Sequence, residues 1–354
     1  MSKTNLPIIL SVDTSCDETS AAVTKGLTVL SNIVWSQSNI HSKFGGVVPN
    51  TAKREHERKI GWVVEKAVKT ADITYKNVDA FAVTVGPGLA IALGVGINFV
   101  KQLAIKYQKP LIAINHLEGH LLSPLANTDI NQVVHLFPAF GAVVSGGNTQ
   151  IIFMEKIGKY KIIAQTIDDA LGESLDKSAR LLGFGYPGGA TLEKFARLGD
   201  PKKFILPIPM LGREKELSFS YSGLKTSFLR LYNKLQTENL LGKQTMYDLA
   251  ASYQNSAFEH FTRVLRYVLS KQKTKDVKYI FVGGGVSANV QLRKGIRLLS
   301  KEFAVTPLFP YSKKLQGDNA VMIGISAYFK YSKKEFSIAQ KIDRLPNLKI
   351  DAVV

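Results

Sequence analysis

The chain has 354 residues, of which 45% are apolar and 21% charged, and a formal net charge of +18. That length suffices for two domains with separate cores, and that composition excludes a disordered or collagen-like chain. The positive balance attracts polyanions, nucleic acid before anionic membrane, although a lysine-rich surface can also serve solubility alone. A single cysteine, Cys16, rules out an internal disulfide and suits a reducing, cytoplasmic compartment. No signal peptide is expected, because the apolar residues that begin at Leu6 run directly into Asp13.

Residues 7–12 form an apolar run ending at Asp13, followed by a polar turn from Thr14 to Thr19 and a second apolar run from Ala21 to Val23. This pattern predicts a strand, a polar loop and a returning strand. Residues 80–100 carry no charge, which meets the roughly 20-residue length of a membrane span. Gly86-Pro87-Gly88 interrupts them, so a buried strand over 80–85, a tight turn and a closely packed helix of small residues are expected instead.

The stretch Asn115-His-Leu-Glu-Gly-His places His116 and His120 four residues apart. On a helix this puts both imidazoles on one face, about 5–6 Å apart at Cβ, so that they can share a metal ion. Two ligands make half a site, and a pair of core histidines satisfied by backbone carbonyls is the plain alternative. A zinc peptidase would carry Glu directly after the first His. Leu117 stands there, and Glu118 points about 200° around the helix. Asn115 and Glu118 read as a capping box that opens the helix, and Pro124 closes it.

Strand, turn and strand recur over residues 139–154 around Ser145-Gly-Gly-Asn-Thr, which suggests an internally duplicated α/β protein. A third glycine loop, Gly283-Gly-Gly-Val-Ser-Ala-Asn289, follows a strand over 279–282 and precedes a helix near Val290. Bare amides and a helix dipole then meet at an anion-sized spot. Each loop alone is a weak signal; the three in order favour a nucleotide held between two lobes. The lysines at 202–203, 271–278, 313–314 and 330–334 are spread without the interleaved aromatics of a single-strand reader. The tail from Phe329 to Val354 reads either as a surface helix and strand or as a flexible arm for RNA.

Many ordered motifs together carry a resemblance. They include Ser15-Cys-Asp-Glu-Thr, Gly45-Gly-Val-Val-Pro, Gly86-Pro-Gly-Leu, the histidine motif, Val144-Ser-Gly-Gly, Asp168-Asp-Ala-Leu-Gly-Glu, Asp176-Lys, Tyr186-Pro-Gly-Gly, Phe219-Ser-Tyr-Ser-Gly-Leu-Lys-Thr, Gly283-Gly-Gly-Val and Asp318-Asn-Ala-Val-Met-Ile. From about residue 8 to residue 328 the chain resembles the tRNA N6-adenosine threonylcarbamoyltransferases, in particular the bacterial TsaD branch once described as O-sialoglycoprotein endopeptidases. The resemblance implies a duplicated ribonuclease H-like core of the actin, Hsp70 and sugar-kinase type, with two lobes around a nucleotide cleft. It implies that Asp318 joins His116 and His120 on one divalent ion, Fe(2+) by preference and Zn(2+) as the alternative. It maps substrate contacts onto Val143, Val144, Ser145, Gly146, Gly147, Asp176, Gly189, Glu193 and Asn289. The expected division is an N-terminal lobe over 1–134 with the histidine pair and a C-terminal lobe over 135–312 with the substrate loops. A final segment, 313–354, is expected to return a helix and Asp318 to the first lobe and to end in a basic tail.

Asn50 and Lys53 stand where Glu and Ser are usual, Gly317 where Thr or Ser is, Ser174-Leu175 where Ala-Phe is, and Asn148 where His is frequent. None of these departures removes an implied ligand. The implied reaction moves threonylcarbamoyl from L-threonylcarbamoyladenylate to N6 of adenosine 37 in tRNAs that read codons beginning with A, releasing AMP. Asp17 or Glu18 is a candidate for taking the amine's proton, with capping of the first turn as the competing role. Lys225 is a candidate RNA contact, though a solvated lysine is the default. A TsaB-like paralogue and a TsaE-like ATPase are implied as partners, and no membrane is. A non-catalytic nucleotide switch, a sugar kinase or a nucleic-acid binder would leave the histidine pair without a purpose.

Overall fold

The computed structural model describes residues 6–271 and 276–352. The first half of the chain runs β1 (Ile8–Asp13), β2 (Glu18–Lys25), β3 (Thr28–Ser36), the single turn α1 (Ser38–His41), α2 (Pro49–Thr70), β4 (Ala80–Gly86), α3 (Ala90–Tyr107), β5 (Leu111–Asn115), α4 (His116–Leu122) and the short α5 (Ile130–Val133). Its sheet has the order β3-β2-β1-β4-β5, with β1 antiparallel to β2 and parallel to β4. The second half runs β6 (Ala139–Val144), β7 (Thr149–Lys156), β8 (Lys159–Thr166), α6 (Leu171–Leu181), α7 (Gly188–Ala196), β9 (Ser218–Phe219), α8 (Ser222–Thr237), α9 (Lys243–Lys271), β10 (Tyr279–Gly283), α10 (Val290–Glu302), β11 (Thr306–Leu308) and α11 (Ala320–Ser332). Its sheet has the order β11-β10-β6-β7-β8-β9, with β6 antiparallel to β7 and parallel to β10. Apart from the extra edge strand β9, the two sheets repeat one connectivity, as the paired hairpins at 7–23 and 139–154 predicted.

Side-chain alternation explains the layers. In β1 and β4, Leu10, Val12, Phe81 and Val83 face the cluster that includes Ile60, Val64 and Val68 of α2 and Leu93, Ile97 and Val100 of α3. Ile9, Ala80 and Ala82 face the opposite way, into a cluster shared with Leu117 and Leu121 of α4 and Val321 to Ile325 of α11. That second cluster also takes Val143, Ile152 and Phe281 from the other sheet, so α4 and α11 lie between the two sheets. Nine consecutive residues of α11, Ala320 to Tyr328, are buried, as befits a helix apolar on every side. Each large aliphatic side chain it buries contributes about 1.5–3 kcal/mol. The uncharged stretch resolves into β4, the glycine-proline turn and α3, and among the described residues no helix is long and apolar enough to cross a membrane.

Phe329 to Ser332 finish α11, and the rest of the tail is neither a helix with a strand nor a free arm. Ser337 bridges to Leu111, Leu345 N donates to Val85 O at 2.7 Å, and Asn115 Nδ2 donates to Lys349 O at 2.9 Å. Ile342 and Ile350 are buried, and these apolar anchors hold the segment as a strap across the first lobe. Val353 and Val354 lie outside the described residues.

Candidate metal and donor site

β5 leads straight into α4, and Asn115 caps it: its side-chain oxygen accepts from Leu117 N at 2.9 Å and Glu118 N at 3.4 Å. Only half of the expected capping box forms. Glu118 is buried, and its Oε1 accepts from the Tyr160 hydroxyl at 2.8 Å, a partner contributed by β8. Burial raises the Glu118 pKa. Its carboxyl is turned to the back of α4, so Glu118 does not stand where a peptidase would need its general base. Pro124 opens a 3₁₀ turn immediately after α4, as expected of a residue that cannot extend the helix.

The rings of His116 and His120 are 4.6 Å apart and nearly perpendicular. Asp318, just ahead of α11, places Oδ1 3.5 Å from His116 Nε2 and 3.1 Å from His120 Nε2. The three residues offer ligand atoms within 4.8 Å of one another. Both nitrogens of His120 are buried without a hydrogen-bond partner, because the short contact to Asp318 is misaligned for one. Orphaned buried nitrogens cost about 1–3 kcal/mol each, a penalty that a coordinated cation removes. Two imidazoles and one carboxylate converging in this way can hold a divalent ion.

Charge within the cluster fits the same conclusion. Burial alone would lower His116, but the Asp318 and Asp13 carboxylates outweigh it and push the imidazole up to about 10. Burial, with His116 alongside, lowers His120 despite Asp318. Burial works to raise Asp318, yet the two histidines hold it well below the usual carboxylate range. Without metal, the cluster therefore keeps a proton where a cation would sit. Asp13 was not singled out from the sequence. It ends β1 fully buried, with Oδ1 unpaired and 3.6 Å from His116 Nδ1, on the far side of the ring from Asp318. The available signal was a carboxylate closing an otherwise apolar strand.

The glycine loops meet behind α4. A Cβ on Gly283 would lie 2.0 Å from His120 O, one on Gly284 2.4 Å from Val144 O, and one on Gly172 2.5 Å from Ser145 O. Gly284 also has φ +90°, a conformation that favours glycine. Beside this junction, Gly146, Asp176, Gly189, Glu193 and Asn289 line one cavity of about 240 Å³, together with Gly172, Pro187 and Gly285, which stand in the quoted motifs but were not among the implied substrate contacts. Asp176 Oδ1 accepts from Gly189 N at 2.6 Å, and Glu193 Oε1 from Val290 N at 3.0 Å. Asn289 caps α10 and donates to Gln254 Oε1 at 2.7 Å. Val143 and Val144 differ from the rest: their side chains are fully buried in the two cores, leaving only backbone to face a ligand. Ser145 is also buried, its hydroxyl accepting from Asn148 N at 3.1 Å, while Gly147 is exposed and outside the cavity lining.

Asp17 and Glu18 do not cap their own turn. The Tyr186 hydroxyl reaches across from the second half to donate to Asp17 Oδ2 at 3.1 Å, and Ser36 Oγ donates to Glu18 Oε1 at 3.2 Å. Burial, then the charges of Asp17 and Asp318, raise Glu18 well above the carboxylate range. Lys225 is not a free lysine, since Nζ pairs with Asp169 Oδ2 at 2.6 Å. Gly317 has open space where a Cβ would stand, so the usual hydroxyl residue would fit there and its absence is sterically neutral.

A family model described as tRNA N6-adenosine threonylcarbamoyltransferase (TsaD) matches residues 28–325. The chain belongs to that family. A tRNA N6-adenosine threonylcarbamoyltransferase of Pelagibacter ubique is 40% identical over 339 residues, covering 94% of this chain and 92% of that protein. One of Clostridium kluyveri is 43% identical over 345 residues, 97% of each chain. Among solved structures, component A of the Acidaminococcus fermentans (R)-2-hydroxyglutaryl-CoA dehydratase aligns with TM-score 0.52 at 12% identity, covering 93% of this chain and all of that one. HypF of T. kodakarensis aligns with TM-score 0.58 at 14% identity, covering 94% of this chain and 48% of that one. At such identities the likeness concerns the fold alone, and that fold is the actin, Hsp70 and sugar-kinase type that the TsaD resemblance implied.

Proposed function

We propose that this chain transfers the threonylcarbamoyl group from L-threonylcarbamoyladenylate to N6 of adenosine 37, in tRNAs that read codons beginning with A. The observation that carries this reading is the convergence of His116, His120 and Asp318 in a fold that also forms a cavity lined by Gly146, Gly189 and Gly285. Adenine's exocyclic amine is a poor nucleophile because its lone pair is delocalised into the ring, so the donor must arrive activated, with AMP as leaving group.

His116, His120 and Asp318 hold one divalent ion, Fe(2+) by preference and Zn(2+) as the alternative, since two nitrogens and one carboxylate with open positions suit either. When bound, the ion supplies Lewis-acid character toward the threonylcarbamoyl end of the donor. The cavity walls at Gly146, Asp176, Gly189, Glu193 and Asn289 orient the adenylate, and backbone amides of the glycine loops face its phosphate. N6 attacks the carbamoyl carbon, the carbon–oxygen bond to phosphate breaks, and AMP leaves with the electron pair. Asp17, which accepts from the Tyr186 hydroxyl, or Glu18 takes the proton that N6 loses. The base leaves the anticodon stack to reach the site. A TsaB-like paralogue and a TsaE-like ATPase assist in the cytoplasm, and no membrane is involved.

The test is transfer of labelled threonine from the preformed adenylate to unmodified tRNA, with wild type and Asp318→Ala, in the presence and absence of both partners. Incorporation beside the anticodon that the substitution abolishes is the expected result. Wild-type protein that neither labels tRNA nor releases AMP under any of these conditions would sink the proposal.

A further inference from the structure

The fold assembles an aromatic and basic face that the sequence hides. At 100° per residue, Arg293, Lys294, Arg297 and Lys301 all project within one 100° arc of α10. Val290 falls within the same arc at the helix start, where its backbone N donates to Glu193 of the donor cavity. At a rise of 1.5 Å per residue, the stripe therefore runs from the cavity outward over roughly 16 Å. Phe309, on the strand-following segment, lies under it: the guanidinium carbons of Arg293 and Arg297 sit 4.2 and 5.4 Å from its ring centre. Two residues on, Tyr311 is 58% exposed, and the same segment continues directly to Asp318 of the metal cluster.

A solvated basic helix face is the ordinary alternative, and the one-sided charge of this segment with an aromatic ring under its arginines tells against it. Exposed cations elsewhere divide: Lys69 pairs with Glu65 on α2, Arg197 with Glu193 on α7 and Arg266 with Glu302, while among the described residues Lys43, Lys76 and Lys202 form no ion pair. Among the described residues, none of the four cations of the α10 stripe forms an ion pair. Residues 290–317 hold six basic residues and one acidic one, Glu302, which is turned to Arg266. Guanidinium groups set over an aromatic ring, beside an exposed tyrosine, are what a sequence-tolerant reader of unpaired nucleotides uses.

We propose that this face receives the single-stranded anticodon loop of the RNA, with the α10 stripe on its phosphates and Tyr311 stacked on an unpaired base. The inference rests on the proposed function, because it names the surface that delivers the acceptor to that same site. The binding partner is RNA rather than protein: the cations are spaced along one line, as phosphates are, and the stacking groups have no charge to offer an acidic surface.

The experiment measures affinity of the full-length, metal-loaded protein for an end-labelled anticodon stem–loop by fluorescence anisotropy across a salt series. The variants are Lys294→Ala/Arg297→Ala, Tyr311→Ala and, as a control on α2, Lys69→Ala; all sites are exposed, and melting curves check folding. The double variant is expected to lose about tenfold in affinity and to flatten the log–log salt slope by about 1.4, for two phosphate contacts on a single strand. Tyr311→Ala is expected to lose a similar factor with the slope unchanged, because stacking releases no counterions. In transfer assays, KM for tRNA should rise by more than kcat falls, and donor affinity by calorimetry should hold. Wild-type affinity and slope in both variants, with transfer by the native enzyme intact, would overturn this proposal and leave the proposed function standing. Loss of binding to the ATPase or paralogue without loss of RNA affinity would likewise overturn it, by assigning the face to a protein. Native enzyme that transfers nothing and binds no stem–loop would overturn both.

Discussion

Asp13 and His116 make the point that a ligand's grip depends on what stands behind it. A carboxylate facing the far nitrogen of a metal-binding imidazole fixes its tautomer and raises its basicity, and Asp13 Oδ1 is unpaired 3.6 Å from His116 Nδ1. Asp13→Asn should therefore weaken Zn(2+) or Co(2+) affinity about 10–100-fold, read by chelator competition, with a change in the Co(2+) visible spectrum. An unchanged affinity would reduce Asp13 to a strand-end residue. A second residue predicts pH dependence. Ser220 N donates to His260 Nε2 at 3.2 Å, and burial lowers the imidazole from 6.5 to about 4. The unfolded chain takes up a proton here below about 6.5 and the folded chain only near 4. The stability this histidine contributes is thus complete above the first value and lost as pH falls toward the second. Urea midpoints of wild type should drop across that window more steeply than those of His260→Gln; parallel profiles would refute the assignment. Single residues were unevenly legible. The histidine pair announced itself by spacing, whereas Asp318 was reached only through family resemblance. The turn of Glu118 toward Tyr160 depends on a hairpin 42 residues away, which no local pattern encodes.

At the scale of elements, hairpins and glycine loops were readable because each is contiguous: alternation, a turn and alternation again lie within some twenty residues. Their docking was not readable. Gly283 is a residue of β10 whose missing side chain lets the strand touch the carbonyl of His120, so the third glycine loop and the histidine helix are fixed against each other. Gly283→Ala sets a methyl against backbone, which cannot swing aside as a side chain can. The expected cost is about 1–3 kcal/mol in urea unfolding, together with weaker metal binding as α4 shifts; a substitution that leaves both unaltered would show that α4 and β10 move independently. The basic aromatic face was hidden for a related reason. Its cations lie on α10 and its rings on the segment after β11, and only the β11 turn brings them together.

The whole molecule is two copies of one sheet plan with α4 and α11 pressed between them, and that plan was legible from the repeated hairpins. What the repeats did not disclose is that the final segment completes the first lobe. α11 fills the inner face of the first sheet, Asp318 joins the two histidines in the candidate metal cluster, and the strap at 337–350 ties down Val85 and the cap of α4. A ribosome releases these parts well after the rest of the first lobe. Until α11 has been made, the histidine pair lacks Asp318 and the first sheet has one bare side, so the first lobe stays unfinished while the second is synthesised. A chain cut short before Asp318 would keep the two imidazoles and Asp13 but lack the carboxylate that joins them in the candidate metal cluster.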